Sequence, residues 1–406
     1  MTVQFRNLRS FPFRFSTLSV RVRMTTIVAL FLAPRLALLY LRQPFFDELF
    51  TRWICAKSFA GILQALHYDS GPPLYYFLIH LIGDPPLLVI RAISLLFSTI
   101  ALIALLVSRR FIAAALLAVF PPAVLFAVDA RSYALCAMFV AFGILALDRD
   151  RPYAAGLLLV AAAYSHYYGA LFFVFLWKQW RPLTIAVLLF LPGAWLALHQ
   201  PRASMAWVGG FPRYPEVLFA RPPLWLLIVA AGLLVVAGYR LNRYAAMTLI
   251  PLGLALALRI YFPLRFESII AVPLVLWLEA SAHKKLIPLL MAVWTAICAV
   301  GIIDHAQRPM DGYRDAAMRV RGLQGPVVAT GYLYLETIMV RPATAFPAEQ
   351  AVHPGWRASA TSGSELPAGT FFWIGERYAP ELAIIRRSRS ITPIYVNESA
   401  AIVKVN

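Results

Sequence analysis

Two adjacent carboxylates, Asp47 and Glu48, stand in QPFFDELFTRW (residues 43–53), with Phe45, Phe46, Leu49 and Phe50 around them. Solvated loop acids have no need of such neighbours, and acids at an apolar boundary are candidates for moving a proton. Other polar groups recur at comparable boundaries. Asp69 precedes SGPPLYY, which contains Tyr75; VDARSYAL holds Asp129, Arg131 and Tyr133; YSHYYG holds His166 and Tyr167; FPLRFES holds Arg265 and Glu267. A guanidinium offers forked donors to a phosphate and stays charged. A carboxylate can act as general base toward a hydroxyl or amine. The combination fits a site that holds an anion and activates a nucleophile. Plainer roles compete at each position. Arginines anchor helix ends, tyrosines fill the interfacial belt, a lone histidine serves as a hydrogen-bonder, and an acid pair caps a helix. No metal-ligand spacing such as H-E-x-x-H occurs, and Cys55, Cys136 and Cys298 are isolated. A divalent metal is possible but not required, and no other cofactor is called for.

The elements that must position these groups follow from composition. Of 406 residues, 61% are hydrophobic and 14% charged, with a mean hydropathy of +0.71. Repeated apolar runs predict an all-α polytopic membrane protein with the lipid bilayer as its solvent. The net charge of +18 sits mostly in short loops rather than on one basic stripe, which argues against nucleic-acid binding. About eleven spans are expected: 24–41, 86–108, 111–128, 130–147, 152–165, 167–177, 182–199, 223–240, 244–262, 264–282 and 286–303. The segment 72–82 is too short to cross and reads as a juxtamembrane or re-entrant helix. Arg109, Arg110, Arg149, Arg151, Lys178, Arg181, Arg240, Arg243, Lys284 and Lys285 then share the cytoplasmic side with a basic tail, 1–23. Initiation at Met24 instead of Met1 would shorten that tail. The loop 42–85 and the turns at 129–131, His166 and Arg265 fall on the periplasmic side of a bacterial inner membrane, and so does everything after 303. That placement gathers the candidate residues on one face. In 304–406 the pattern changes to a polar helix, DGYRDAAMRVRGL, and short β-rich runs, PVVAT, FFWIG, ITPIYV and AAIVKV. It predicts a small soluble α/β domain with parallel pairing.

The ordered series FFDELFT, DSGPPLYYFLIHL, VIRAISLLFS, DARSYAL, YSHYYGALFF and PLRFESIIAVPL resembles integral-membrane glycosyltransferases of the GT-C superfamily. Within it the series is most similar to the protein O-mannosyltransferase-like and Rgt-type group that uses polyprenyl-phosphate sugars. The resemblance spans most of 24–303, the expected catalytic domain. It implies that Asp47 is the catalytic base, with Glu48 orienting the acceptor or sharing the work. It further implies that Arg131 and Arg265 hold the lipid phosphate and that His166 and Tyr167 line the pocket. Asp69, Tyr75, Asp129, Tyr133 and Glu267 complete the expected substrate-binding set. The C-terminal domain would help receive the acceptor, an envelope glycan such as lipopolysaccharide, a lipid or a protein. Gly71 stands where members of the group often have histidine, Asp129 where glutamate is more frequent, and Phe266 where tyrosine is. The competing function classes are a transporter or flippase and an envelope scaffold. The first would favour inverted repeats and polar groups near the midplane, and the chain has no repeat.

Overall fold

The computed structural model describes residues 19–67, 71–200, 224–238, 240–281, 285–346 and 366–406. Its first part is helical: α1 (Val20–Leu41), α2 (Phe46–Cys55), α3 (Phe59–His67), α4 (Leu74–His80), α5 (Leu87–Val107), α6 (Phe111–Val119), α7 (Pro121–Phe126), α8 (Tyr133–Asp148) and α9 (Pro152–Ser165). A 3₁₀ helix (Tyr167–Leu176) follows, then α10 (Trp180–His199), α11 (Leu224–Ala237), α12 (Arg243–Ala257), α13 (Arg265–Ile269), α14 (Ala271–Ser281) and α15 (Ile287–Gln307). Among the described residues, α1, α5, α10 and α15 are long and apolar enough to cross a membrane, and six shorter apolar helices accompany them. At 21 residues, α5 is about 31 Å long, close to the hydrocarbon thickness of a bilayer. The segment 72–82 supplies only the seven-residue α4.

Several expected spans are interrupted, each for a local reason. The run 111–128 is two helices, because Pro121 and Pro122 lack the N–H groups that would bond the carbonyls of Leu117 and Ala118. Phe120 turns extended at the break. Arg35 of α1, wholly buried, supplies the missing donors. Its guanidinium bonds Ala118 O at 2.7 Å, Leu117 O at 3.2 Å and Phe31 O at 2.9 Å, and it lies 3.6 Å over the Phe31 ring. Cys298 of α15 donates to the next carbonyl, Val119 O. The run 264–282 divides into α13 and α14, and 244–262 is helical only to Ala257. The segment 167–177 forms the 3₁₀ helix, whose ~2.0 Å rise carries ten residues about 20 Å, where an α-helix would give 15 Å. Gly169 lets this helix lie against α9, since a Cβ there would sit 2.4 Å from the Ala162 backbone.

The two ends of the bundle hold different charge clusters. At one end, Arg110 Nη2 donates to Tyr244 OH at 3.0 Å, and that hydroxyl donates to Asp148 at 2.6 Å. Arg243 pairs with Asp148 at 2.8 Å and Arg110 with Glu279 at 3.4 Å. This network ties together the C-terminal ends of α5, α8 and α14 and the start of α12. The opposite ends of α5 and α8 begin at the acid pair's side of the protein.

Beyond α15 come α16 (Gly312–Val320), β1 (Val327–Ala329), α17 (Tyr332–Ile338), β2 (Thr344–Ala345), β3 (Phe371–Glu376), α18 (Pro380–Ser388), β4 (Ile391–Val396) and β5 (Ala400–Val405). The polar helix expected at DGYRDAAMRVRGL is α16, capped by Asp311, whose side chain accepts from Tyr313 N. The strands form one sheet in the order β2-β1-β3-β5-β4. Pairing is parallel from β1 to β2 and β3, but antiparallel from β5 to β3 and β4. The expected parallel sheet is thus mixed, because only a short turn separates β4 from β5 whereas α17 or longer connections precede β2 and β3. Side chains alternate across it. Val327 and Ala329 join the core shared with the helices, while Val328, Trp373 and Val403 face Leu382 and Ile385 of α18. This unit docks on α2: Tyr332 meets Phe46 edge-on with ring centroids 4.2 Å apart, and Arg52 reaches Met339 Sδ.

Candidate functional site

The start of α2 explains why two acids stand together. Glu48 is the third helical residue and caps the helix start, accepting from Phe45 N at 3.1 Å. It is also fully buried. Arg91, near the start of α5, grips it with two donors at 2.8 and 2.5 Å, and Ala130 N donates at 3.0 Å. The same guanidinium bonds the carbonyls of Arg42 and Gln43. One carboxylate, with Arg91, therefore fastens α2 to the end of α1, to α5 and to the turn before α8. Burial alone would push the Glu48 carboxyl up; Arg42, Arg91 and the hydrogen bonds outweigh it and hold it down at about 2. The carboxylate's four lone pairs are all engaged in these contacts.

Asp47 turns about 100° away from Glu48 on the helix and remains partly exposed. Its Oδ2 accepts from Arg265 Nη2 at 2.7 Å, with 18% of the Asp47 side chain and 10% of the Arg265 side chain exposed. Arg265 opens α13 behind Leu264, a non-glycine residue at φ +67°, a backbone state that costs energy and aims the side chain. The guanidinium lies 4.6 Å from the Phe262 ring centroid and 5.7 Å from that of Tyr133.

The remaining expected residues divide into those drawn to this pair and those held elsewhere. Arg131 donates to Tyr76 OH at 3.0 Å and lies 3.5 Å from the Asp47 carbonyl oxygen and Thr51 Oγ1. Asp129, in the turn before α8, pairs with Arg42 at 3.4 Å, both side chains at least 95% buried. Burial pushes the Asp129 carboxyl up to about 6; Arg42 pulls against it and Glu48 adds to it. Tyr133 and His166 pack with ring centroids 5.2 Å apart, and His166 accepts from Tyr168 N. Tyr167 OH reaches Gly71 O at 3.5 Å. Tyr75 is fully buried with its hydroxyl on Ser94, and its neighbour Tyr76 is the tyrosine that meets Arg131. Glu267 is bonded by Tyr261 rather than meeting Asp47. Asp69 lies outside the described residues. Among the described residues no group of three or more His, Cys, Asp or Glu side chains is placed to hold a metal ion.

Arg42, Arg91 and Tyr76 were not among the expected residues. The signal for Arg91 was a single arginine inside an apolar run, VIRAISLLFS, which demands a buried partner. Together the cluster sets three acids against four arginines at one end of the helices. Among its ion pairs in the described residues, Asp47–Arg265 is the most exposed.

No family model and no curated protein matches the chain. Two solved structures share its fold. ArnT from Cupriavidus metallidurans in the apo state superposes with a TM-score of 0.56, and the same protein bound to undecaprenyl phosphate with 0.53. In each case 14% of residues are identical, over 95% of this chain and 98% of that chain. The likeness establishes an ArnT-like fold over most of the chain.

Proposed function

We propose that this chain is a membrane glycosyltransferase that moves a sugar from a polyprenyl phosphate to an envelope acceptor at the outer face. The observation that carries the reading is the Asp47–Arg265 pair, a proton acceptor and a phosphate-type donor 2.7 Å apart at one end of the bundle. Support comes from the fold of ArnT, a GT-C glycosyltransferase with a structure bound to undecaprenyl phosphate, and from the sequence resemblance to polyprenyl-phosphate-dependent enzymes. In the proposed step an acceptor O–H or N–H attacks the anomeric carbon from the face opposite the phosphate. The bond from that carbon to the phosphate oxygen breaks, and its electrons leave with the lipid phosphate. The acceptor proton passes to Asp47. A single displacement inverts the anomeric configuration. Arg265, with Arg131 near it, stabilises the departing phosphate, so no carboxylic acid is needed to protonate the leaving group, unlike glycoside hydrolysis. Glu48, Arg91, Asp129 and Arg42 hold the turn and the first outer helix in place. The C-terminal unit sits on α2 beside Asp47 and receives the acceptor, a glycan, lipid or protein, on the periplasmic side of the inner membrane.

The test is reconstitution in vesicles with radiolabelled polyprenyl-phosphate sugars and isolated envelope acceptors. Transfer of label to an acceptor, lost in Asp47→Asn, is the expected result. Label that crosses the bilayer but remains on its lipid would overturn the reading in favour of a flippase.

A further inference from the structure

We infer that the Asp47–Arg265 ion pair is an exchangeable latch: an incoming phosphate monoester or diester takes Arg265 from Asp47, and that exchange releases the carboxylate toward the acceptor. The inference rests on the glycosyltransferase reading and specifies how its two central residues are coupled.

The argument begins with which partner can move. The Arg265 side chain is 10% exposed, with its guanidinium 4.6 Å from the Phe262 ring centroid and 5.7 Å from that of Tyr133. Its backbone is anchored too, since Ser268 Oγ donates to Arg265 O at 2.7 Å and Leu264 ahead of it takes φ +67°. Asp47 is the more exposed partner. It occupies the first turn of α2, where a short side chain can change rotamer without disturbing the helix. Its helix is fixed by Glu48, which bonds Arg91, Ala130 N and Phe45 N, so release of Asp47 does not release α2. A pinned cation and a rotatable carboxylate on a rigid helix make the carboxylate the leaving partner.

The chemistry of the competitor follows from the donor. An arginine that accepts one carboxylate oxygen also suits a phosphate oxygen, which carries more charge and offers more acceptor sites. In the exchange one charge-assisted hydrogen bond, from Arg265 Nη2 to Asp47 Oδ2, is replaced by one from Arg265 to phosphate. The freed carboxylate lone pairs then face the approaching acceptor, and negative charge at the phosphate disfavours its return. Without donor the base remains on the arginine. Phosphate affinity is consequently reduced by the fraction of molecules in which Asp47 occupies Arg265, a conformational cost that removal of the carboxylate would lift.

The test compares binding of undecaprenyl phosphate to the full-length protein in nanodiscs, with undecaprenol and inorganic phosphate as controls. Asp47→Asn is expected to bind undecaprenyl phosphate more tightly than the parent, on the order of tenfold, although it cannot transfer sugar. Arg265→Gln is expected to bind it more weakly. In the Arg265→Gln background Asp47→Asn should have no further effect, because the competed donor is gone. If Asp47→Asn is not recovered folded, Asp47→Ser, which also suits a first helical turn, serves in its place. Inorganic phosphate gaining affinity in Asp47→Asn while undecaprenyl phosphate does not would assign the latch to free anion and overturn the lipid assignment. Equal or weaker undecaprenyl phosphate binding by Asp47→Asn, with parent binding intact and Arg265→Gln impaired, would sink the latch and leave the glycosyltransferase reading standing. A folded parent that binds neither phosphate would overturn both.

Discussion

Replacing Glu48 by glutamine tests whether the buried acid is structural. The structure gives it four hydrogen bonds: two from Arg91 at 2.8 and 2.5 Å, one from Ala130 N at 3.0 Å and one from Phe45 N at 3.1 Å. Glutamine keeps the shape but brings an NH₂ group against donors on either side. It also leaves Arg91, with 5% of its side chain exposed, as a buried cation supported only by the Arg42 and Gln43 carbonyls. Breaking a buried pair from one side costs about 3–5 kcal/mol. In a chain of 406 residues that corresponds to a fall of roughly 4–6 °C in apparent melting temperature, by extrapolation of the size scaling. Asp47→Asn, at the more open pair, should cost less than ~1 kcal/mol. The decisive arm is the double variant Glu48→Gln/Arg91→Met. Removing the stranded cation should recover part of the loss, because the penalty lies in the unpaired charge. The assay is thermal unfolding of purified protein in one detergent, followed by intrinsic fluorescence. A Glu48→Gln protein that melts within 1 °C of the parent, or a double variant less stable than Glu48→Gln by the full cost of Arg91→Met alone, would refute the reasoning.

Other outcomes follow from the same contacts. Asp47→Asn should lower single-turnover transfer by ~10²–10⁴-fold, as expected for a lost general base; a rate within about threefold would leave Asp47 as a helix-start residue. Arg35→Met strands the Leu117 and Ala118 carbonyls and should destabilise by about 1–3 kcal/mol for each, whereas in a Pro121→Ala/Pro122→Ala background both carbonyls regain main-chain donors and the penalty should shrink. Because burial raises the Asp129 carboxyl to about 6 from an ordinary 3.8, the folded state binds the extra proton between those values. The Asp129 contribution to stability should therefore fall as pH rises from about 4 to 6, and melting curves of Asp129→Asn across that window should show a shallower slope than the parent. A reporter fused after residue 303 should be active only on the periplasmic side; cytoplasmic activity would separate the C-terminal unit from the outer face.

What was legible in the sequence depended on whether the physics was local. Apolar runs marked the helices of the bundle, and β-rich runs after residue 303 marked strands, because burial periodicity is written in neighbouring residues. The mixed pairing of the sheet was not, since strand direction depends on connections that the runs themselves do not encode. Pro121 and Pro122 were visible as letters, yet the span 111–128 was read as continuous. The apolar average hid two missing donors, and the residue that replaces them, Arg35, lies more than eighty positions away.

The acid pair shows the same division at a finer scale. Adjacency on a helix required that Asp47 and Glu48 diverge, and this much needed no coordinates. Which one would close inward depended on Arg91 and on Ala130 N, both distant in sequence. A capping geometry is the plain explanation for the pair and catalysis the sharper one, and a cap made by Glu48 is compatible with the proposed role of Asp47. The third helical position of α2 is where a carboxylate can reach back to the Phe45 N–H, so Glu48 caps. The second position carries no such duty, and its side chain points instead toward Arg265. A helix start fastened by one acid is what allows the other to be held in a defined place without being buried, which is the condition a general base at a membrane surface has to satisfy.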